Sequence, residues 1–253
     1  MSDFEHYSRR YECARMRRED GILELTLHTD GKELSWGAVP HRELPEAFHD
    51  IARDRENRVV ILTGTGDAFS GPRPSADVRQ GRPASRWSVL IEEGRALLHN
   101  LLDIEAPMIS AVNGPALRHS ELPLLCDIVL ASDNAAFEDA GHFESGLAPG
   151  DGVNIVYPLL LGINRARYFL FTGQSLSAQE ARGLGLVAEV LQRERLLDRA
   201  WELARQISRH PDLHLRNTRR ILTVEIRSRL EAYLELSLSL EAMANMQLNE
   251  LTK

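Results

Sequence analysis

Three short apolar runs constrain this chain more tightly than anything else in it. They are Arg58-Val59-Val60-Ile61-Leu62-Thr63-Gly64, Pro107-Met108-Ile109-Ser110-Ala111-Val112-Asn113-Gly114 and Asp127-Ile128-Val129-Leu130-Ala131-Ser132. Each is dense in apolar residues with little polar alternation, the habit of strands in a parallel sheet covered on both faces. Gly21-Ile22-Leu23-Glu24-Leu25-Thr26-Leu27-His28-Thr29 does alternate, which predicts a strand with one buried face. Ala135-Ala136-Phe137 reads as a further short strand.

Helical patterns fall between these runs. Trp87, Leu90, Ile91, Leu97, Leu98, Leu101 and Leu102 recur mostly at three- and four-residue intervals, the mark of one buried helix face. Ser177-Ala178-Gln179-Glu180 has the form of a capping box, predicting a helix to about Leu184 that closes on Gly185. Strands alternating with helices imply right-handed crossovers and an α/β fold with a largely parallel sheet. After about residue 190 the strand pattern stops, and Arg195 to His210 and Asn217 to Leu248 read as helices separated by His210-Pro211. The simplest organisation is an N-terminal arm over residues 1–20 with room in it for a short strand, a core over 21–192 and a helical region over 193–253.

The 253 residues carry 30 basic and 37 acidic side chains, a formal charge of −7, which disfavours nucleic-acid binding through a basic surface. Cys13 and Cys126 are too few for a disulfide framework or a thiolate metal site. The polar N-terminus lacks the apolar core of a secretory signal, and no run approaches the ~20 apolar residues of a membrane span. The expectation is a cytoplasmic protein that binds neither membrane nor nucleic acid.

Two turns hold the residues best suited to chemistry. His142 and Asp151 stand in the glycine- and proline-rich stretch Gly141 to Gly152, and His119 in Asn113-Gly114-Pro115-Ala116-Leu117-Arg118-His119-Ser120-Glu121. Imidazoles suit proton transfer near neutrality, and a carboxylate can orient such a ring and stabilise its cation. On spacing alone the plainer reading, solvated loop residues, is the favoured one. His6, His28, His49, His99, His210 and His214 have no comparable context, and no His-x-x-His or Cys-x-x-Cys pair points to zinc, so neither metal nor cofactor is expected.

Taken in order, these segments resemble the crotonase (enoyl-CoA hydratase/isomerase) superfamily over roughly residues 20–210. The matching stretches are Val59 to Gly64 followed by Ala68-Phe69-Ser70-Gly71, then Pro107 to Gly114, Cys126 to Ser132, Gly146 to Gly152, and Thr172-Gly173 through Ala181 to Gly185-Leu186-Val187. The resemblance implies stacked ββα turns, two roughly perpendicular sheets and a C-terminal helical trimerisation region, giving a homotrimer or a dimer of trimers. It also implies a carbonyl held between two backbone N–H groups. Here Arg118-His119-Ser120 replaces the glycine run that supplies one donor, and the loop after Phe69-Ser70 carries Pro72 and Pro74, which have no N–H. Glu121 falls where hydratases keep one catalytic glutamate, His142 stands at the position of their second, and Asp151 replaces a small residue.

Those departures are similar to the β-diketone hydrolase branch of the superfamily, typified by 6-oxocamphor hydrolase. Trp36 and His41, Asn113-Gly114-Pro115 with His119 and Glu121-Leu122-Pro123, His142 to Gly152, and Glu241 in the last helix carry this likeness. It implies retro-Claisen hydrolysis of a cyclic or bicyclic β-diketone by water, without a cofactor. His142 would be the base with Asp151 fixing its tautomer, His119 an oxyanion donor or the acid for the enolate, and Trp36 the donor to the second carbonyl. Each residue has a plainer reading beside this. Trp36 is apolar filling, His41 a capping or surface residue at a helix start, Glu121 a cap of the next helix, and Glu241 a partner of an arginine. An acyl-CoA hydratase, isomerase or thioester hydrolase is the second reading, supported by Glu121. A noncatalytic binding protein of the same fold, RNA binders included, is the third.

Overall fold

The computed structural model describes residues 4–71 and 82–251. Pro72 and Pro74 lie outside the described residues. Helix α1 (Phe4–Tyr7) leads into β1 (Ala14–Glu19) and β2 (Ile22–Leu27), joined by a turn in which Asp20 and Gly21 both take positive φ. Then follow α2 (Ala38–Arg53), β3 (Val59–Gly64), α3 (Ala84–Asp103), β4 (Met108–Val112), the short α4 (Glu121–Leu124) and β5 (Ile128–Ser132). Next come β6 (Ala136–Phe137), α5 (Val153–Leu161), α6 (Ile163–Thr172), β7 (Leu176–Ser177), α7 (Ala178–Gly183) and β8 (Glu189–Leu191). The chain ends in α8 (Arg193–Ile207), α9 (Asp212–Leu222) and α10 (Val224–Leu251).

Six strands form one sheet in the order β1-β2-β3-β4-β5-β8, parallel from β2 onward with β1 antiparallel at the edge. A second β layer contains the β6–β7 pair, extended by isolated bridges between Ser35 and Gly71, Ser70 and Ala116, and Ala116 and Phe137. This small layer matters most for function. It ties together the turns after β3, β4 and β5, the segments from which a site can be built.

Both faces of the main sheet are covered, for the reason the apolar runs suggested. On one face Val59, Ile61, Ile109, Ala111 and Leu130 pack against Leu196, Ala200, Trp201 and Ala204 of α8. On the other, Leu23, Leu25, Val60 and Leu62 join Phe48 and Ile51 of α2 and Leu97, Leu98, Leu101 and Leu102 of α3. The capping box at Ser177 is present in full, with Glu180 N–H donating to Ser177 Oγ and Ser177 N–H to Glu180.

One expectation is sharpened and two change. The short strand for which the arm over residues 1–20 had room is β1, whose six residues all pair with β2 from Ala14↔Leu27 to Glu19↔Ile22. Its sequence Ala-Arg-Met-Arg-Arg-Glu obscures the strand because two of its arginines are held by carboxylates outside it, Arg18 by Asp54 after α2 and Arg17 by Glu24 of β2. Strand β2 is buried on both faces despite its alternation, since Glu24 is covered by α8 and accepts from Trp201 Nε1 at 2.6 Å. The long last helix is two helices, parted at Thr223, whose hydroxyl donates back to Arg219 O at 2.9 Å.

Candidate active site

The turns after β4 and β6, the loop before α5, the start of α2 and the face of α10 converge on a cavity of about 300 Å3. Trp36, His41, His119, His142, Asp151 and Glu241 all line it. Two backbone features bring them together. His119 takes φ +50°, the left-handed region that a side chain enters at a cost of about 1–3 kcal/mol, and this turns its ring inward. Gly150 lets the loop touch α10: a Cβ there would strike Ser237 O and come 2.7 Å from Glu241 Cβ. A larger residue would therefore push Glu241 away from its neighbour Asp151.

His142 is the centre of the electrostatics. Its Nδ1 lies 2.5 Å from Asp139 Oδ1, while Nε2 faces Asp151 Oδ2 at 3.4 Å and Glu241 Oε1 at 3.5 Å. Burial alone would drive the imidazolium out, but the charges of Asp139, Asp151 and Glu241 outweigh it and hold the histidine pKa well above its usual value. His119 is likewise raised, burial being overcome by Glu121, 2.8 Å from its Nδ1, and by Asp151 at 3.4 Å. His41 goes the other way: burial, then His119 and Arg118, lower it to about 3, so it is neutral wherever the protein works. Burial also raises Glu241, against the attraction of His142, whereas Asp151 is lowered because His142, His119 and Arg118 outweigh its burial.

Three aromatic rings wall the other side. Trp36 and His119 lie 3.9 Å apart between centroids, and His41 meets both edge-on at 5.3 and 5.2 Å. Trp36 Nε1, His41 Nδ1, Asp151 Oδ1 and Glu241 Oε2 are buried with no hydrogen-bond partner among the described residues. Buried polar atoms without partners are rare in folded proteins, and four around one cavity suit a polar guest.

Two expectations need correction. Asp151 does not fix the tautomer of His142; Asp139, three residues upstream, occupies Nδ1, and Asp151 stands beyond the opposite nitrogen. Glu121 is fully buried and off the cavity wall, bonded to His119 rather than offered to a substrate, and burial with the Asp151 charge raises it to about 7. Sequence reasoning missed Asp139, which stands behind His142, and two wall residues, Arg118 and Asn245. The spacing Asp139-x-x-His142 was the available signal for the first. Asn245 Oδ1 accepts from Trp87 Nε1 at 2.9 Å and from Arg82 N–H at 2.7 Å, pinning α10 to the mouth of the cavity. Ser120 Oγ donates to Glu138 O at 2.6 Å and contacts Tyr157 OH at 2.7 Å, locking the His119 turn to the segment that carries Asp139 after β6.

Donor atoms of His119, Glu121 and Asp151 lie within 4.8 Å of one another and are the grouping among the described residues able to hold a metal ion. In the geometry seen, His119 Nδ1 is already engaged by Glu121.

The fold and this site define an α/β enzyme of the crotonase type. Residues 17–248 match the enoyl-CoA hydratase/isomerase family, and the chain belongs to that family. Among its relatives, carnitinyl-CoA dehydratase of Citrobacter koseri is 32% identical over 78% of this chain and 74% of its own length. The 1,2-epoxyphenylacetyl-CoA isomerase of Escherichia coli is 30% identical over 89% and 87%. Among solved structures, a β-diketone hydrolase from the cyanobacterium Anabaena, bound to (S)-3-oxocyclohexyl acetic acid, superposes with TM-score 0.91. It is 47% identical over 96% of this chain and 98% of that one. An enoyl-CoA hydratase/isomerase from Mycobacterium paratuberculosis superposes with TM-score 0.84 at 27% identity, covering 93% and 94%.

Proposed function

We propose that the chain is a cofactor-independent hydrolase that cleaves the C–C bond between the carbonyls of a cyclic β-diketone. The observation that carries this reading is His142, anchored by Asp139 at one nitrogen with the other facing Asp151 and Glu241 on the cavity wall. In its neutral form His142 takes a proton from water while the hydroxide adds to one carbonyl. Asp139 and Asp151 stabilise the imidazolium that forms, as the carboxylate of a catalytic triad does. The tetrahedral intermediate expels the neighbouring carbon as an enolate, whose oxygen is held by the second carbonyl's donors. Trp36 Nε1 and neutral His41 serve there, and preorganised donors of this kind are worth about 10²–10³ each in rate. The imidazolium or His119 then returns the proton to carbon.

The likeness to the Anabaena enzyme adds a substrate shape. A 3-oxocyclohexyl acetic acid is the sum of water and a bicyclo[2.2.2]octane-2,6-dione opened at one bridgehead bond, so the favoured substrate class is bicyclic, of the 6-oxocamphor kind.

The test is incubation of the pure protein with bicyclic and monocyclic β-diketones, without additives, following keto acid by mass spectrometry. We expect hydrolysis, with His142→Ala or Asp151→Asn lowering kcat/KM by about 10²–10⁴. Near-normal kinetics in both variants would reject the assignment. The relatives that act on CoA thioesters favour a second reading, an acyl-CoA hydratase or isomerase. Micromolar binding of CoA by calorimetry, with every diketone left intact, would replace the first reading by the second.

A further inference from the structure

The cavity wall holds a charge that the hydrolysis above does not use. Arg118 sits between the bridge residue Ala116 and His119, its carbonyl fixed by Ser70 Oγ at 2.5 Å. Its side chain runs past Gly141, where a Cβ would lie 3.5 Å from Nε, and reaches the cavity beside His142 and Asp151. Among the described residues no carboxylate or carbonyl hydrogen-bonds to its guanidinium. Other enclosed arginines are satisfied: Arg219 donates to Ile104 O and Asp127, and Arg216 to Asp212 and to the carbonyls of Arg55 and Asn57. The two arginines that share the cavity wall are engaged as well, Arg86 facing Glu93 at 3.8 Å and Arg82 lying over the Trp87 ring.

We propose that Arg118 is the carboxylate-binding residue of this cavity, receiving the two oxygens that hydrolysis leaves on the cleaved carbonyl carbon. The proposal rests on the diketone-hydrolase reading and specifies how that site handles its product. Water gives its oxygen to the carbonyl carbon, the C–C electron pair leaves as an enolate that takes up a proton, and the new acid releases its own proton to solvent. A neutral substrate thus becomes an anion inside a wall that already carries Asp151 and Glu241, with Asp139 behind His142. The two imidazoles of that wall, His142 and His119, already face carboxylates, so the product's charge calls for a cation that has no such partner. A guanidinium matches a carboxylate with two parallel N–H···O bonds, and being enclosed it gains more from such a partner than an exposed arginine would. Burial pulls the Arg118 pKa below its usual value and Asp151 pulls it back, yet a guanidinium stays charged at any working pH.

The test is calorimetric titration of the full chain with (S)-3-oxocyclohexyl acetic acid and with its methyl ester, a pair differing in charge. Wild type should bind the acid at least about tenfold more tightly than the ester. Arg118→Gln should lose about tenfold or more of its acid affinity while holding the ester within about twofold, and Arg118→Lys should fall between. Equal binding of acid and ester by wild type, or equal loss of both ligands in the Gln variant, would overturn the proposal. Should the Gln variant fail to fold by circular dichroism, Arg118→Met and Arg118→Lys carry the same comparison. Diketone turnover without any dependence of acid binding on Arg118 rejects this inference alone. Acid bound through Arg118 with no diketone consumed rejects the hydrolase reading alone.

Discussion

His142 holds its proton against three carboxylates, and the kinetic consequence follows from the sign of that shift. A base works only when deprotonated, so raising its pKa delays the appearance of the active form as pH climbs. The acidic limb of kcat/KM is therefore expected above pH 6.5, where a free imidazole titrates. Asp139→Asn removes one of the three charges and the hydrogen bond at Nδ1, so the limb should move to lower pH while kcat falls about 10²-fold or more. A pH–rate profile of the two proteins checks both statements together; an unmoved limb in the variant would show that Asp139 does not hold the ring. The protonated ring also stabilises the fold below its unfolded pKa, and this contribution is lost as pH rises through the folded value. Most of this constellation was legible because His119, His142 and Asp151 are polar residues in turns, set in a recognisable order. Asp139 was not, since it lies in the irregular segment after β6 and only the fold brings it to His142 Nδ1. Arg118 was legible only as a departure from a glycine run, because what makes it useful is the absence of a partner that sequence cannot display.

At the scale of elements, the approach of α10 to the loop before α5 carries the site. Gly150→Ala should cost about 1–3 kcal/mol by overpacking, and should reduce activity by more than that loss of stability explains, because Glu241 is displaced. Chemical denaturation alongside kinetics separates the two effects. Arg219 serves the packing instead. Only 2% exposed, it joins α9 to the end of α3 through Ile104 O and to the start of β5 through Asp127. Arg219→Met should destabilise the protein by about 3–5 kcal/mol, since Asp127 keeps a half-enclosed charge without its counterion. A denaturant midpoint close to wild type would contradict that. The strands β3, β4 and β5 could be read from their apolar runs alone, whereas β1 showed only as room for a short strand without bounds, because its arginines depend on Asp54 and Glu24 beyond it. The break at Thr223 has no glycine or proline to announce it.

For the molecule as a whole, the sheet and its two helical covers account for the core, and several large apolar side chains are left over. Ile163 and Phe171 on α6 and Ile221 and Leu222 on α9 are 61–72% exposed, with Leu236, Leu240 and Met243 of α10 also in the open. Exposed apolar side chains in such number suit association. We propose that copies of the chain cover them, as a trimer or a dimer of trimers. Analytical ultracentrifugation should find an oligomer, and the pair Ile221→Asp with Leu222→Asp should shift it to monomer without unfolding it. A wild-type monomer at micromolar concentration would end that proposal. Such a state is invisible in a periodicity analysis, which can say that a helix has apolar residues but not which of them find cover in their own subunit.

The contact at Gly150 has a temporal corollary. Glu241 belongs to the final helix, so a nascent chain can complete its sheet while that helix is still inside the ribosomal exit tunnel, with one wall of the cavity still to come. Mild denaturation should run the same sequence backwards, silencing catalysis at concentrations where the far-ultraviolet spectrum of the sheet is still intact.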